Sequence, residues 1–190
     1  MKIMVETSAR HVHLSEKDLK ILFGHNAELT HRKSLSQPGQ YVSYEKVDIV
    51  GERGTIQGVS ILGPTRSETQ VEVSLTDARK LGIKDIPIRN SGHLENTPGC
   101  KLIGSNGEID INHGLIVAKR HIHLSVDEAK DFGLKDGQIV LVKINTNNRK
   151  LIFDDVVIKV RNDFSAAMHI DTDEANAACI SSTIYGEIIK

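Results

Sequence analysis

Tryptophan is absent from this 190-residue chain, aromatic residues make up only 4%, and there are four prolines and two cysteines. No segment is of low complexity. Cys100 and Cys179 show no CxxC spacing, which excludes a disulfide framework and fits a reducing, cytosolic compartment. No apolar run reaches the roughly 18 residues that would suggest a membrane span. The opening Met1-Lys2-Ile3-Met4-Val5 is neither a secretory signal nor an amphipathic targeting helix. A formal net charge of −1 gives no reason to invoke nucleic acid or an anionic membrane. The length leaves room for one large domain or two small ones.

Histidine is plentiful. Of nine, four lie in one short phrase written twice: Arg10-His11-Val12-His13-Leu14-Ser15 and Arg120-His121-Ile122-His123-Leu124-Ser125. In a strand, residues i and i+2 share a face, so each phrase presents two imidazoles side by side. Two further copies are weaker. Gln70-Val71-Glu72-Val73-Ser74-Leu75-Thr76-Asp77-Ala78 aligns with the stretch from His121 to Ala129, and Ala167-Met168-His169-Ile170-Asp171-Thr172-Asp173-Glu174-Ala175 follows the same plan. The common unit is a strand, then Ser or Asp as N-cap, then acids in the first helical turn. Gly82 and Gly133 stand where two of these helices should stop.

Short helices are therefore predicted near 15–23, 76–81, 126–132 and 172–179. Strands are predicted for Tyr41–Val50, Gly54–Leu62, Gly107–Val117, Gln138–Ile144 and Leu151–Val160, separated by turns such as Asn145-Thr146-Asn147-Asn148. The fold class is mainly β: the many short strands and few short helices suggest β-barrels with helical caps, with internally repeated strand-to-helix units. The polar segment 24–40 reads as an inserted flap, and the repeat places a boundary near Ala118.

In the register of the repeat, the third position reads His13, Glu72, His123 and His169, and the first reads His11, Gln70, His121 and Ala167. Imidazole with one carboxylate suits zinc, and iron, cobalt or nickel less specifically. His11, His13, Glu72, His121, His123 and His169 are too many for one tetrahedral site. They suit two metals with open coordination positions, provided that the four junctions converge. Arg66 and Gln70 stand four residues apart ahead of Glu72, so on a strand they share its face. Arg66 is then either a phosphate clamp or a surface residue paired with Glu68. Arg10 and Arg120 read as structural salt-bridge partners. Ser91-Gly92 and Thr97-Pro98-Gly99 read as plain turns or as loops bordering a site. His25, His31, His93 and His113 read as surface or structural residues, and neither cysteine carries a nucleophile signature.

Four motifs in order carry a resemblance to a known family: Ser8-Ala9-Arg10-His11-Val12-His13-Leu14-Ser15, Gly63-Pro64-Thr65-Arg66 through Gln70-Val71-Glu72-Val73-Ser74, Ala118-Lys119-Arg120-His121-Ile122-His123, and His169-Ile170-Asp171-Thr172-Asp173-Glu174-Ala175-Asn176-Ala177. Over nearly its whole length the chain resembles the phosphate propanoyltransferases, phosphotransacylases of the propanediol-utilisation type. The resemblance implies two small β-barrels capped by short α-helices, residues 1–9 plus 119–190 and residues 10–118, with the first strand completing the C-terminal barrel and the active site between them. It implies two zinc ions on the six residues above, Arg66 against phosphate, and exchange of acyl-CoA plus phosphate with acyl phosphate plus CoA. Asn176, one turn into the last helix, is a further candidate substrate contact beside Gln70.

Relatives that enter bacterial microcompartments carry an extra amphipathic N-terminal segment. Here the first motif starts by residue 8, so a free cytoplasmic form is expected, acting on acetyl or propanoyl groups and leaving homo-oligomer formation open. His93, in Ser91-Gly92-His93-Leu94, stands where an acid is expected in relatives. From spacing alone, a dinuclear hydrolase of phosphate esters or thioesters and a zinc-binding structural module compete with the acyl-transfer reading.

Overall fold

Each of the four repeated phrases becomes a short strand that hands over to an N-capped helix. The computed structural model describes residues 1–147 and 149–189. Asn148, the end of the turn predicted from Asn145, lies outside the described residues. In chain order the elements are β1 (Lys2–Thr7), β2 (His11–His13), α1 (Glu16–Phe23), β3 (His31–Ser34), β4 (Tyr41–Val50), β5 (Thr55–Gly63), β6 (Gln70–Glu72), α2 (Leu75–Leu81), β7 (Ile88–Arg89), β8 (Cys100–Ile103), β9 (Glu108–Ile111), β10 (Leu115–Ala118), β11 (His121–Leu124), α3 (Val126–Phe132), β12 (Ile139–Ile144), β13 (Leu151–Val160), β14 (Ala167–Ile170), α4 (Thr172–Ala177) and β15 (Ile184–Ile189).

The helices begin where the hydroxyl and carboxyl caps dictate. Ser15 accepts from the Asp18 amide. Ser74, Ser125 and Asp171 form full capping boxes with Asp77, Glu128 and Glu174. Such caps satisfy amides that the first helical turn leaves without partners. Gly82 (φ 80°) and Gly133 (φ 60°) end α2 and α3 in the left-handed conformation. The sharpest departure from the predicted strands is the run Gly107–Val117, which splits into β9 and β10. Gly114 turns the chain at φ 109°, and a Cβ there would sit 2.6 Å from the Thr69 carbonyl oxygen, so only glycine fits. Strand β3 forms within the segment read as a flap.

The chain divides into two compact units. The first comprises Met1–Ala9, Ser36–Pro38 and the chain from Lys119 onward. Its six strands close a barrel in the order β1-β14-β11-β13-β12-β15, with β1 parallel to β14 and antiparallel to β15. Ile3, Val5, Ile122, Val142, Ile158 and Met168 fill its core. The second unit, Arg10–Leu35 and Gly39–Ala118, is a sheet in the order β7-β10-β6-β2-β5-β4-β8-β9 with β3 on β4. Its core includes Val12, Leu14, Ile49, Ile61, Val71 and Leu115. Burying each such side chain contributes roughly 1.5–3 kcal/mol. That is what holds three-residue strands such as β2 and β6, which are too short to persist alone.

The two units repeat one pairing pattern. In the second, β2 runs antiparallel to β6 and parallel to β5, and β6 is parallel to β10. In the first, β11 runs antiparallel to β14 and parallel to β13, and β14 is parallel to β1. The barrel expectation therefore holds, with one barrel closed and its counterpart an open sheet.

Candidate active site

In the second unit the β2–β6 ladder sets His11 opposite Glu72 and His13 opposite Gln70. All four side chains are buried. His11 and His13 stand edge to face with centroids 4.9 Å apart. His11 Nε2 lies 3.5 Å from Glu72 Oε2, and His13 Nε2 lies 4.0 Å from Glu72 Oε1. One ligand atom from each of the three falls within 4.8 Å of the others.

Burial alone would push the Glu72 carboxyl up. His11, through its charge and hydrogen bond, with His13 and Arg66, instead holds it well below the usual carboxylate range. His13 is driven well below 6.5 by burial first, then by His11 and Arg66. The corner therefore offers an ionised carboxylate and a neutral imidazole, the protonation states that metal ligation needs. His13 Nδ1 is buried and makes no well-aligned hydrogen bond, although the Leu62 backbone pulls the imidazole's pKa upward. The donor set thus fits a divalent metal of borderline softness such as zinc.

Arg66 does not stand on a strand with Gln70. It makes an isolated bridge to Ser15 and is separated from β6 by a bend. Its amide donates to the Leu14 carbonyl at 2.9 Å. Its Nη1 donates to Ser91 Oγ at 3.1 Å, while Glu68 lies beside His113. Burial pulls the Arg66 guanidinium below its ordinary value, against the pull of Glu72. Gln70 Nε2 donates to Glu72 Oε1 and to Ser91 Oγ, and Gln70 Oε1 accepts from the Gly92 amide. The partly desolvated guanidinium of Arg66 thus stands in the same corner as the Glu72 carboxylate and the His13 imidazole.

In the first unit the β11–β14 ladder sets His121 opposite His169 and His123 opposite Ala167. The rings of His121 and His123 are 4.5 Å apart by centroid, His123 and His169 5.0 Å, and His121 and His169 5.4 Å. His121 Nδ1 is 2.7 Å from the Lys119 carbonyl. A carbonyl only accepts, so Nδ1 carries a proton in this contact and Nε2 is turned away from it. Burial, then the neighbouring His121 and His169, pull His123 down to about 2. His123 Nδ1 is buried without a hydrogen-bond partner, and Phe164 packs on the ring at 4.0 Å. His169 Nδ1 lies 3.9 Å from Glu6 Oε2, which accepts a 2.5 Å bond from the Ser36 hydroxyl.

Arg10 Nε bonds Asp77 Oδ2 at 2.7 Å, and Arg120 Nε lies 3.2 Å from Glu174 Oε1. Both acids are capping-box residues of α2 and α4. Each arginine thus ties a histidine strand to the helix that follows the strand opposite. Asn176 is exposed on α4, and His25, His31, His93 and His113 are exposed and outside both clusters. Thr97 caps a turn through Leu94 and Gly114. Burial, then Asp110, push the Cys100 thiol up to about 12, which leaves it no nucleophile. Glu6, Ser36 and the bonds of Ser91 were not singled out by spacing, because they arrive from strands and loops remote in sequence. Among the described residues, no helix is long and apolar enough to cross a membrane.

The chain matches the family model described as "Phosphate propanoyltransferase" over residues 4–181. It is 53% identical to the phosphate propanoyltransferase of Thermotoga maritima, over 95% of this chain and 85% of that protein. It is 48% identical to that of Sebaldella termitidis, over 100% and 89%, and 50% identical to that of Listeria monocytogenes, over 99% and 87%. With a match of this extent, and with motifs that fold into two corners of the same strand pairing that each gather histidines, the chain belongs to the phosphate propanoyltransferase family and is a phosphotransacylase enzyme.

Proposed function

We propose that this enzyme interconverts a short-chain acyl-CoA (acetyl or propanoyl) plus phosphate with acyl phosphate plus free CoA, in the cytoplasm. His11, His13 and Glu72 would hold one divalent metal, and His121, His123 and His169 a second, zinc being the ion that the donors favour. Part of the proposal is the division of the chain into residues 1–9 plus 119–190 as one barrel and residues 10–118 as the other. The observation that carries the reading is the buried His11–His13–Glu72 set with Arg66 held beside it.

In the forward direction a phosphate oxygen attacks the thioester carbon, the carbon–sulfur bond breaks, and CoA leaves as the thiolate. Zinc, when bound, would supply Lewis acidity toward substrate oxygen. Arg66 supplies what phosphate needs to approach an electrophile: a planar fork that matches two oxygens and offsets the dianionic charge. Being partly buried, it does so where water screens little. Gln70 and Asn176 complete the proposed substrate contacts, Gln70 from within the same corner. Holding phosphate in line with the thioester supplies much of the rate gain, because oriented partners reach very high effective molarity. The protonated thiol of Cys100 offers no acyl acceptor, so a single direct displacement is expected.

The test is CoA release from acetyl-, propanoyl- and butanoyl-CoA, with and without phosphate, before and after chelation, alongside metal analysis. Release that requires phosphate, stops on chelation and returns with zinc supports the reading. Release with water as acceptor would assign a hydrolase instead. Arg66→Ala should raise the KM for phosphate by about 10-fold or more with bound metal unchanged.

A further inference from the structure

The Ser91 side chain touches Arg66, Gln70 and Glu72 together. Its oxygen lies 3.1 Å from Arg66 Nη1, 2.8 Å from Gln70 Nε2 and 2.9 Å from Glu72 Oε1. Guanidinium and amide nitrogen only donate, so both lone pairs of the hydroxyl are taken. Its single proton has one acceptor left, the Glu72 carboxylate. The direction of every bond in this set is therefore fixed by chemistry. Glu72 Oε1 receives both the Ser91 hydroxyl and the Gln70 amide, which leaves Oε2 to face His11. The loop itself is pinned, since the Gly92 amide donates to Gln70 Oε1 at 2.8 Å.

We propose that Ser91 is a positioning residue for the reaction, one that locks the Glu72 carboxylate in its ligand rotamer and couples it to the guanidinium of Arg66. The inference rests on the reading of His11, His13 and Glu72 as a metal site. Partners that orient a ligating carboxylate carry about 10–100-fold in metal affinity. Without the hydroxyl, Gln70 is left as the side-chain hydrogen-bond donor to Glu72 Oε1, and Arg66 loses its bond to the Ser91 oxygen at once. Metal affinity and phosphate binding should then weaken together, although Ser91 acts through its neighbours.

The experiment compares wild type, Ser91→Ala and Ser91→Thr of the full chain. Zinc affinity is read by chelator competition on metal-free protein, folding by far-UV circular dichroism and thermal midpoint, and kinetics as a KM-against-kcat split for phosphate. Ser91→Ala should lower zinc affinity by about 10-fold or more at one equivalent and raise the phosphate KM, with the fold retained. Ser91→Thr, which keeps the hydroxyl, should restore both. Wild-type zinc affinity and phosphate KM in Ser91→Ala would overturn the inference and leave the metal site standing. A folded Ser91→Thr that behaves like Ser91→Ala would overturn it too, since the hydroxyl would then not be the group that matters. Wild-type protein that takes up no zinc through His11, His13 and Glu72 would overturn the site reading, and this inference with it.

Discussion

Glu72 faces His11 across the β2–β6 ladder, and His169 faces His121 across the β11–β14 ladder in the same register. One strand further out the chemistry is exchanged. β10 sets the buried Ile116 beside Glu72, whereas β1 sets Glu6 beside His169. Each corner therefore owns one carboxylate, but in the second unit it is a member of the donor set and in the first it stands behind an imidazole. A repeated backbone thus carries one corner with a carboxylate facing its imidazoles and one in which imidazoles face one another. The corner with the carboxylate lies beside an arginine, Arg66. Such a carboxylate lowers the cost of holding a divalent cation and guanidinium in the same dry corner, and an all-imidazole set favours borderline metals over hard ones.

The comparison is broken most severely at the donors themselves. Glu72→Gln and His169→Ala should each cost more than the roughly 100-fold that outer partners of a ligand carry, together with one equivalent of bound metal, read by steady-state kinetics and metal analysis. Equal losses would show that both corners serve one reaction. An active His169→Ala variant would show that the imidazole corner is dispensable.

Ile61 and Ile158 hold equivalent register positions, beside Val12 and Ile122, and both are fully buried. Truncating either to alanine should destabilise by about 2–5 kcal/mol in urea unfolding. A clearly smaller loss for Ile61→Ala would mean that the open sheet relaxes around a cavity better than the closed barrel does.

A pH titration sharpens the contrast further. His13 and His123 both have pKa values depressed by burial, His123 to about 2. Below pH ~6.5 the unfolded chain takes up protons that these side chains refuse in the native state, so their contribution is whole above that pH and declines as pH falls. The thermal midpoint of metal-free protein should drop from pH 6.5 to pH 5. His123→Gln should flatten that slope, and an unchanged slope would count against a depressed His123.

The smallest expected effects are at the caps. Ser74→Ala and Asp171→Ala should each cost about 1 kcal/mol. Ser74→Ala and Asp171→Ala also loosen the capping boxes that present Asp77 to Arg10 and Glu174 to Arg120, so double-mutant cycles with those arginines measure the coupling.

Much of this was legible in the chain. Ser15, Ser74, Ser125 and Asp171 mark the helix starts, and Gly82 and Gly133 mark two of the stops, because capping is settled by groups within a few residues of each other. The four phrases also show which side chains are ligand types. Arg66 was harder. Spacing put it on a strand with Gln70, but the bend after it breaks the alternation, and its partner Ser91 arrives from a loop 25 residues away. Strand β15 carries no strong alternation signal, and β1 was placed in the C-terminal barrel only through the family resemblance.

By itself, then, the amino-acid order determined the strand-to-helix units, their caps and the donors they carry, since each depends on φ/ψ preference and hydrogen bonds over a turn or two. Only the tertiary structure decided that His11 meets Glu72, that His121 meets His169, and that Glu6 and Ser91 stand behind those ligands. Cross-strand register is a long-range choice. It is made by burying Val12, Val71, Ile122 and Met168 on one side of each ladder, and the ligands follow the backbone that this burial fixes.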